Sequence, residues 1–451
     1  MRSPNPRLLV LPLLVLGISC NDATATQALA DFLIGYCSTP LPAFVAVKNE
    51  NGSWTQVTLD ANGKATVKVG QKFGVATVYA NTNGSYNTTV SYLARSEGAT
   101  AGPVCDVTGT KTVNGTVAGM TSTNDAQIQL GNRSAFLSGT STSSFQITQV
   151  RSGAQDLVAQ RRSSSTGIAD KIIVRRAQDI ATGTSMTLLD FAGSEAVAPA
   201  SGAVTITGLG ASESKTTYAL LRTATTGNQY FFFNSPLATT TSGTVYGVPS
   251  AQVLPTDMHV ISVYGSSSTT TTDAAHGVDI FKRNIAATNA DVGPAISTPT
   301  LTVTNATAKV LRLQLASQSE YSKIAELYYA QGTGSTFRSM AVWVTAGYLG
   351  STPATWDIQP PDLSAVTGFP TASLLGSGPI VSWFVYAQGD LADWFKQTID
   401  VPDGTVSKWA YTEQFAGTTG LLRAPQSMVA GAASAAAVRE RRGAGFRMSP
   451  Q

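Results

Sequence analysis

The chain has 451 residues, of which only 13% are charged, and its formal net charge at pH 7 is +3. A charge this small, spread over the whole chain, lacks the clustered lysine and arginine that binding to a nucleic-acid backbone requires. The chain also has only 2 His and 3 Cys, and it contains none of the common metalloprotease, redox, serine-hydrolase or phosphate-loop motifs. Composition therefore excludes a nucleic-acid-binding protein and favours none of the common enzyme classes.

The N-terminus has the layout of a secretory signal peptide. Two arginines precede an apolar stretch over residues 8–18, and small and polar residues follow over 19–25. About eleven apolar residues make a helix of about 16 Å, which is too short to cross about 30 Å of hydrocarbon. We therefore expect residues 1–19 to be a cleaved signal peptide and residues 20–36 to be a polar tether. The protein is then exported to the cell envelope or outer surface.

Residues 16–20, Leu-Gly-Ile-Ser-Cys, resemble a bacterial lipobox. The leucine stands four positions before the cysteine, and Gly17 occupies the position three before it that leucine normally takes. The resemblance implies that Cys20 becomes the lipid-modified first residue of a membrane-anchored mature chain. The alternative is plain cleavage after Ala25 or Ala30, which would give a secreted protein without lipid.

Cys37 and Cys105 remain as a pair once Cys20 is assigned to lipid. An exported chain reaches an oxidising compartment, so we expect a disulfide between them. Two buried free thiols are the alternative. The two cysteines bracket the first β-rich unit, residues 37–105.

Period-two alternation predicts that this first unit is a small Ig-like β-sandwich. Residues 54–59 and 65–69 alternate in this way, and the Asn-Gly pair at 62–63 suits the tight turn of a β-hairpin. Residues 73–80 and 86–93 form a second predicted pair of strands around another Asn-Gly sequence.

The second predicted unit, residues 111–190, contains a Val-x-Gly-x-Val strand at 113–117 and an Ala-x-Ile strand after it. A Phe-x-Ile-x-x-Val strand at 145–150 then leads to a turn at Gly153. This pattern resembles the carboxypeptidase regulatory-like, transthyretin-like β-sandwich. The aromatic residue that the family places shortly after the turn glycine is replaced by Gln-Asp at 155–156. The resemblance implies a sandwich used as a spacer or binding module, with no catalytic residues.

Residues 201–298 and 299–417 read as two further β-sandwiches that look like diverged copies of one domain. Short echoes recur in the same order: residues 220–222 with 327–329, 246–249 with 367–370, and 279–282 with 393–396. Shared β-type composition is the alternative explanation for them. After these units we expect a frayed or disordered tail over residues 418–451, rather than a basic patch with a partner.

Tryptophan is concentrated in the last predicted unit, which holds five of the 6 Trp: Trp343, Trp356, Trp383, Trp394 and Trp409. Trp343 and Trp383 lie within apolar runs and are expected in the core. Trp356 precedes a Pro-Pro sequence in a turn-rich stretch, so we expect it on an exposed loop. Trp356 and Trp394 are therefore the candidate ligand-binding residues, stacking on sugar rings or on a partner surface. Core packing of both is the alternative.

The two histidines give little support to a catalytic site. His259 lies in an apolar strand pattern and is expected to be a satisfied core or edge residue, whereas His276 is expected in a loop where weak metal binding is conceivable. A glycosidase needs only two carboxylates at a set separation, and no spacing in this sequence points to such a pair.

These patterns predict an all-β protein of tandem Ig-like and transthyretin-like β-sandwich domains, with no catalytic residues, cofactor or metal. The predicted function is a cell-envelope lipoprotein that acts as a surface binding or structural module. Its expected partners are the membrane, through lipid on Cys20, and a glycan or protein ligand, with no nucleic acid. The alternatives are a secreted carbohydrate-binding or adhesive protein, and a hydrolase with an unrecognised carboxylate site.

Overall fold

A computed structural model gives the structure of residues 29–35, 41–97, 100–101, 110–131, 133–139, 142–181, 185–223, 229–236, 238–269, 272–305, 309–390 and 401–415. Strands make up most of these ranges, and they pair into several sheets. The prediction of an all-β protein of tandem β-sandwiches is confirmed.

Several sequence predictions lie outside the described residues. They are the signal peptide, the lipid site Cys20, the disulfide between Cys37 and Cys105, the ligand-binding candidate Trp394 and the tail over 418–451. All of them stay predictions.

The described strands fall into four groups of seven, named units 1 to 4 in chain order. Unit 1 contains β1 (Ala30–Gly35), β2 (Phe44–Asn49), β3 (Thr55–Gln56), β4 (Lys64–Val69), β5 (Lys72–Ala80), β6 (Tyr86–Ala94) and β7 (Thr100–Ala101). Unit 2 contains β8 (Thr110–Ala118), β9 (Asn124–Leu130), β10 (Arg133–Ser138), β11 (Thr142–Arg151), β12 (Gly153–Ser163), β13 (Ala169–Ile180) and β14 (Leu189–Asp190). Unit 3 contains β15 (Ala200–Thr207), β16 (Ser214–Thr223), β17 (Gln229–Asn234), β18 (Ser242–Gly247), β19 (Met258–Ser268), β20 (Thr272–Lys282) and β21 (Thr288–Asp291). Unit 4 contains β22 (Thr300–Asn305), β23 (Val310–Ala316), β24 (Ile324–Gln331), β25 (Arg338–Thr345), β26 (Thr355–Ile358), β27 (Ile380–Gln388) and β28 (Val406–Phe415).

Helical structure in the described residues is confined to short turns. One is α-helical, α1 (Ala346–Leu349), and the 3-10 turns are Arg95–Glu97, Ser250–Gln252, Ser319–Tyr321, Gly334–Thr336 and Thr371–Ser373.

Each unit places four strands against three in a common order. In unit 2 the sheets are β10-β9-β12-β13 and β11-β8-β14, and in unit 3 they are β17-β16-β19-β20 and β18-β15-β21. Unit 1 repeats this order, and in all three units the seventh strand runs parallel to the first. Unit 4 differs at one position, because β22 pairs antiparallel with β23 where the other units carry the parallel seventh strand. Apart from that strand, the two units predicted to be duplicates share their strand order with each other and with units 1 and 2.

The four-stranded sheets of units 1, 3 and 4 join into one sheet of twelve strands, in the order β17-β16-β19-β20-β28-β27-β24-β25-β6-β5-β2-β3. Units 3 and 4 meet where β20 pairs antiparallel with β28. Units 4 and 1 meet where β25 pairs parallel with β6. The N-terminal unit therefore lies beside the C-terminal unit of the described chain.

Units 1 and 4 cover opposite faces of the shared sheet. On one face, Phe32 and Ile34 of β1 belong to a buried cluster that continues to Tyr386, Trp409 and Tyr218 in units 4 and 3. On the other face, residues 359–379 of unit 4 cover unit 1, and the rings of Phe44 and Phe369 lie 5.3 Å apart. Units 2 and 3 each have, in addition, a separate core between their own two sheets.

Two sequence predictions for unit 1 are corrected. Residues 30–35, predicted as part of the tether, form β1, and the inward alternation of Phe32 and Ile34 at 1% and 0% exposure explains the strand. The predicted hairpin between 54–59 and 65–69 is also wrong, because β3 pairs with β2 whereas β4 pairs with β1 in the other sheet. The tight turn itself is present, with φ of 73° at Gly63. The second predicted hairpin is confirmed by the pairing of β5 with β6.

Unit 2 protects the edge of the shared sheet at β17. The backbone N–H of Phe232 donates to Oε1 of Gln129 at 2.8 Å, and Nε2 of Gln160 donates to the carbonyl of Phe232 at 2.6 Å. An unpaired edge strand offers its backbone groups to any other chain. These two amides therefore close part of an edge that would otherwise be open to pairing.

A bulge in β13 supplies the main charged contact between units 2 and 3. Asp156 of β12 faces both Arg176 and Ala177, and Ala177 has a φ of 48°. Oδ1 of Asp156 accepts from the Ala177 N–H at 2.9 Å. The Arg176 guanidinium donates to Asp156 at 3.2 Å and to Asp257 of unit 3 at 2.7 Å. A bulge re-aims a side chain, and here it directs Arg176 to two carboxylates that are 0% and 1% exposed.

Candidate functional site

The expectation that Trp356 lies on an exposed loop is wrong. Trp356 is on β26, opposite Leu315 of β23, and only 1% of it is exposed. Thr355 and Asp357 point outward, and Trp356 and Ile358 point into the space between the sheets. The Pro-Pro sequence follows this short strand rather than interrupting it, so the turn residues gave a misleading signal.

The other described tryptophans of unit 4 are packing residues. Trp343 is 3% exposed, which confirms it as core. Trp383 packs against the core but is half-buried, and its indole N–H donates to Oε1 of Gln414 at 2.8 Å. Trp409 is 1% exposed and is also a core residue.

His259 is a satisfied core residue, as predicted. Its Nδ1 donates to the carbonyl of Arg283 at 2.8 Å, and its Nε2 accepts from the N–H of Val248 at 3.1 Å. Burial lowers the pKa of His259 to about 4, so the ring is neutral at pH 7.

His276 was expected in a loop, and this expectation is wrong. It lies on β20 and is 5% exposed, with Nε2 at 2.7 Å from Oε1 of Glu213 and Nδ1 in contact with the carbonyl of Gly293. Both ring nitrogens therefore have protein partners.

In the described part of the chain, no group of three or more His, Cys, Asp or Glu residues is placed to hold a metal ion. Within the same residues, no helix has the length and apolar character needed to cross a membrane.

Three half-buried aromatic rings meet at the junction of units 1 and 4. Trp54 precedes β3, Tyr92 lies on β6, and Tyr348 belongs to α1 of unit 4. The ring centroids of Trp54 and Tyr92 are 6.1 Å apart, and those of Tyr92 and Tyr348 are 5.0 Å apart. We name these three residues the aromatic patch. Its rings come from distant parts of the chain and are brought together by the pairing of β6 with β25.

Gly74 of β5 gives the rings room to lie on the sheet. It is directly opposite Tyr92. A Cβ at this position would lie 2.8 Å from Cη2 of Trp54 and 3.3 Å from Cδ1 of Tyr92. Any larger residue would therefore displace at least one ring of the aromatic patch.

A carboxylate from unit 1 fixes the turn that carries Tyr348. Glu97 accepts from the N–H of Gly347 at 3.0 Å and from the hydroxyl of Thr345, both in unit 4. The same carboxylate accepts from the N–H of Ala94 at 2.7 Å, just after Tyr92. Thr345 also caps α1 by accepting from the Tyr348 N–H at 3.2 Å. Site residues held in this way need little reorganisation to bind a ligand.

Charged side chains surround the aromatic patch. Lys72 and Glu50 form an ion pair at 3.4 Å, so their charges compensate each other. Burial, and secondarily the charge of Glu50, raises the pKa of Tyr348, and burial raises that of Tyr92. Both phenols thus remain neutral hydrogen-bond donors at pH 7.

Lys48 is a further cation beside the aromatic patch. It is directly opposite Gly74, which is itself opposite Tyr92, so the three residues share one face of the sheet. Thr55 is opposite Val47, which brings Trp54 next to Lys48 as the chain enters β3. Lys48 is half-buried and forms no ion pair with a described residue. The patch therefore combines aromatic surface with a lysine that has no ionic partner among the described residues.

Unit 2 has an open cleft of about 410 Å³ on the outer side of its three-stranded sheet. Its walls are neutral amide and hydroxyl side chains over Phe145 and Met186: Asn114, Thr116, Ser144, Gln146 and Ser185. Nε2 of Gln146 already donates to Oδ1 of Asn114 at 3.1 Å. The cleft holds no charge and fewer aromatic rings than the junction of units 1 and 4, which is therefore the stronger candidate site.

Sequence reasoning missed the aromatic patch. Trp54 and Tyr92 lie in the predicted strands 54–59 and 86–93, which gives no indication of a site, and Tyr348 carries no local signal. What defines the site is the contact between units 1 and 4, which no local pattern encodes.

A scan against protein-family models finds no match, and a search of curated proteins finds none. Among solved structures, the Bacillus anthracis TIE protein matches at 11% identity and a TM-score of 0.14, over 59% of this chain and half of the length of that chain. A tetra-tandem repeat from the extending region of a large adhesion protein matches at 12% identity and a TM-score of 0.14, over 87% of this chain and 100% of that one. Matches at this TM-score carry no argument about fold or function.

Proposed function

We propose that the protein is a non-catalytic binding module of the cell surface, and that it contacts its ligand through the aromatic patch. The observation that carries this proposal is the set of three half-buried rings that Glu97 fixes across the junction of units 1 and 4. Amphipathic rings in a rigid setting are common at binding surfaces because they offer a large contact area at a small entropic cost. Sites between domains are also frequent.

The rest of the chain supports the patch as a scaffold. Units 1, 3 and 4 share a sheet, and unit 2 is joined to unit 3 by Arg176 and by the two amides at β17. Unit 2, with its resemblance to the carboxypeptidase regulatory-like sandwich, acts in this proposal as a spacer. Such an arrangement suits a structural or adhesive module.

The proposed anchor is a lipid on Cys20. Wild-type protein should partition into detergent and take up labelled fatty acid, whereas Cys20→Ala should remain in the aqueous phase. If the wild-type protein stays in the aqueous phase and takes up no labelled fatty acid, the lipid anchor is wrong. The protein would then be proposed as a secreted adhesive protein.

A screen of the mature protein against glycans and extracellular-matrix proteins tests the binding role. We expect at least one specific ligand, and we expect Trp54→Ala to weaken it by about 2 kcal/mol, the scale of an interface hot spot. Trp383→Ala is the matched control, since Trp383 is half-buried in unit 4 and outside the patch. A ligand lost equally in both variants, or in neither, would argue against the aromatic patch as the binding surface.

A further inference from the structure

We propose that the ligand of the aromatic patch is an acidic glycan, with pyranose rings stacked on Trp54 and Tyr348 and a sugar carboxylate paired with Lys48. This inference rests on the proposed function, because it names the ligand class of the same site. It is carried by the position of a lysine without an ionic partner among the described residues, next to Trp54 and on the same face of the sheet as Tyr92.

The rings select for sugar. A pyranose presents C–H groups on its faces and hydroxyl groups around its rim, so it stacks on an aromatic face and exchanges hydrogen bonds with polar groups nearby. The neutral phenols of Tyr92 and Tyr348 and the ion pair of Lys72 with Glu50 supply donors and acceptors around the patch.

The position of Lys48 favours a glycan that carries a carboxylate. Glu50 pairs with Lys72, and Glu97 accepts hydrogen bonds from the Gly347 N–H and the Thr345 hydroxyl at the Tyr348 end of the patch. Lys48, at the Trp54 end, has no ionic partner among the described residues. Lys48 is held on the same face as Gly74 and Tyr92, on a sheet rather than on a loop. A carboxylate on a stacked sugar would give Lys48 the ionic partner that it lacks among the described residues. A neutral glycan would leave this charge unused.

The experiment compares two probes of equal length and linkage, an oligouronate and the same oligosaccharide with its carboxylates reduced to hydroxymethyl groups. Binding of each to the full-length protein is measured by titration calorimetry at low and high salt. We expect the oligouronate to bind about fivefold more tightly than its reduced form, as one exposed ion pair allows, and the difference to shrink with salt.

Two variants assign the contributions. Lys48→Gln should make the affinities for the two probes equal, and Trp54→Ala should weaken both by about thirtyfold, the equivalent of one hot-spot residue. Lys64→Gln is the matched control, because it removes the same charge from β4, in the other sheet of unit 1. Melting temperatures confirm that each variant is folded, and Tyr348→Ala replaces Trp54→Ala if the latter is not.

Equal affinity of the wild type for both probes would overturn the assignment of an acidic ligand, as would an unchanged preference in Lys48→Gln. Failure of both probes to bind, alongside a matrix protein whose binding is lost in Trp54→Ala, would overturn the inference and leave the proposed binding function standing.

Discussion

Trp356 fills the space between the two sheets of unit 4, and its removal should be costly. It is 1% exposed, so Trp356→Ala leaves a large cavity, and we expect a loss of about 3–5 kcal/mol in the free energy of unfolding. Trp383→Ala should lose less because its side chain is only half-buried. Denaturant unfolding of both variants measures the difference. Equal losses would show that the two residues are buried to a similar extent.

His259 should make stability depend on pH in the acidic range. Its folded-state pKa is lowered to about 4 from an ordinary value of 6.5, mainly because burial disfavours the charged ring. Above pH 6.5 the ring is neutral in both the folded and the unfolded state, and the free energy of unfolding is at its full value. As the pH falls toward 4, only the unfolded state takes up the proton, so the free energy of unfolding decreases. The shift corresponds to about 3 kcal/mol. Unfolding measured between pH 7 and 4 should show this slope.

The control for His259 is His259→Gln, which keeps an acceptor for the Val248 N–H but does not titrate. Its stability should be lower at pH 7 and should vary less with pH than that of the wild type. A slope that is unchanged in the variant would assign the pH dependence to other groups.

At the scale of elements, the bulge in β13 places Arg176 at the charged part of the contact between units 2 and 3, which also includes a buried apolar cluster formed by both units. Arg176→Met would leave Asp156 and Asp257 as buried carboxylates without their shared cation. We expect a loss of about 3–5 kcal/mol, since removing one partner of a buried pair exposes the other to the full desolvation cost. Chemical denaturation, followed by hydrogen exchange at β13 and β19, would locate the loss.

Two comparisons test the interpretation of Arg176. Adding Asp156→Asn and Asp257→Asn to Arg176→Met should recover part of the stability, because no buried charge then remains unpaired. Lys68→Met, which breaks an exposed pair with Asp31, should cost about 1 kcal/mol or less. A similar loss of stability in Arg176→Met, in the triple variant and in Lys68→Met would contradict a larger contribution from the buried ion pairs of Arg176.

Period-two alternation located strands well and sheet membership poorly. The strand at 113–117 follows from alternating buried and exposed residues. The strands over 73–80 and 86–93 are buried on both faces, and the Asn-Gly sequence between them indicated their pairing. The segments 54–59 and 65–69 alternate equally well but enter different sheets, and alternation cannot distinguish a hairpin from a crossing between layers. The aromatic patch could not be predicted for a related reason, because Tyr348 lies beside Tyr92 only through the long-range pairing of β25 with β6.

At the scale of the whole molecule, the four sandwiches share most of their strand order but differ in how far each one buries its own core. Units 2 and 3 each have a core between their own two sheets, and a local sequence pattern was sufficient to suggest the sandwich of unit 2. Units 1, 3 and 4 complete each other's buried faces, and their division into separate sandwiches along the sequence does not carry over to the shared sheet. The succession of β-sandwiches along the chain could be predicted from the sequence. The pairing of their edge strands into one sheet could not.

The parallel pairing of β6 with β25 has a consequence for biogenesis. Asn87 and Ser339, which contact each other across this seam, are 252 positions apart in the chain. A chain that is synthesised from its N-terminus presents β6 long before β25 exists. During that interval unit 1 has an open edge and uncovered apolar residues, which are the features that promote aggregation of nascent chains. Unit 1 therefore emerges before unit 4 but is completed only when unit 4 has been synthesised and pairs with it.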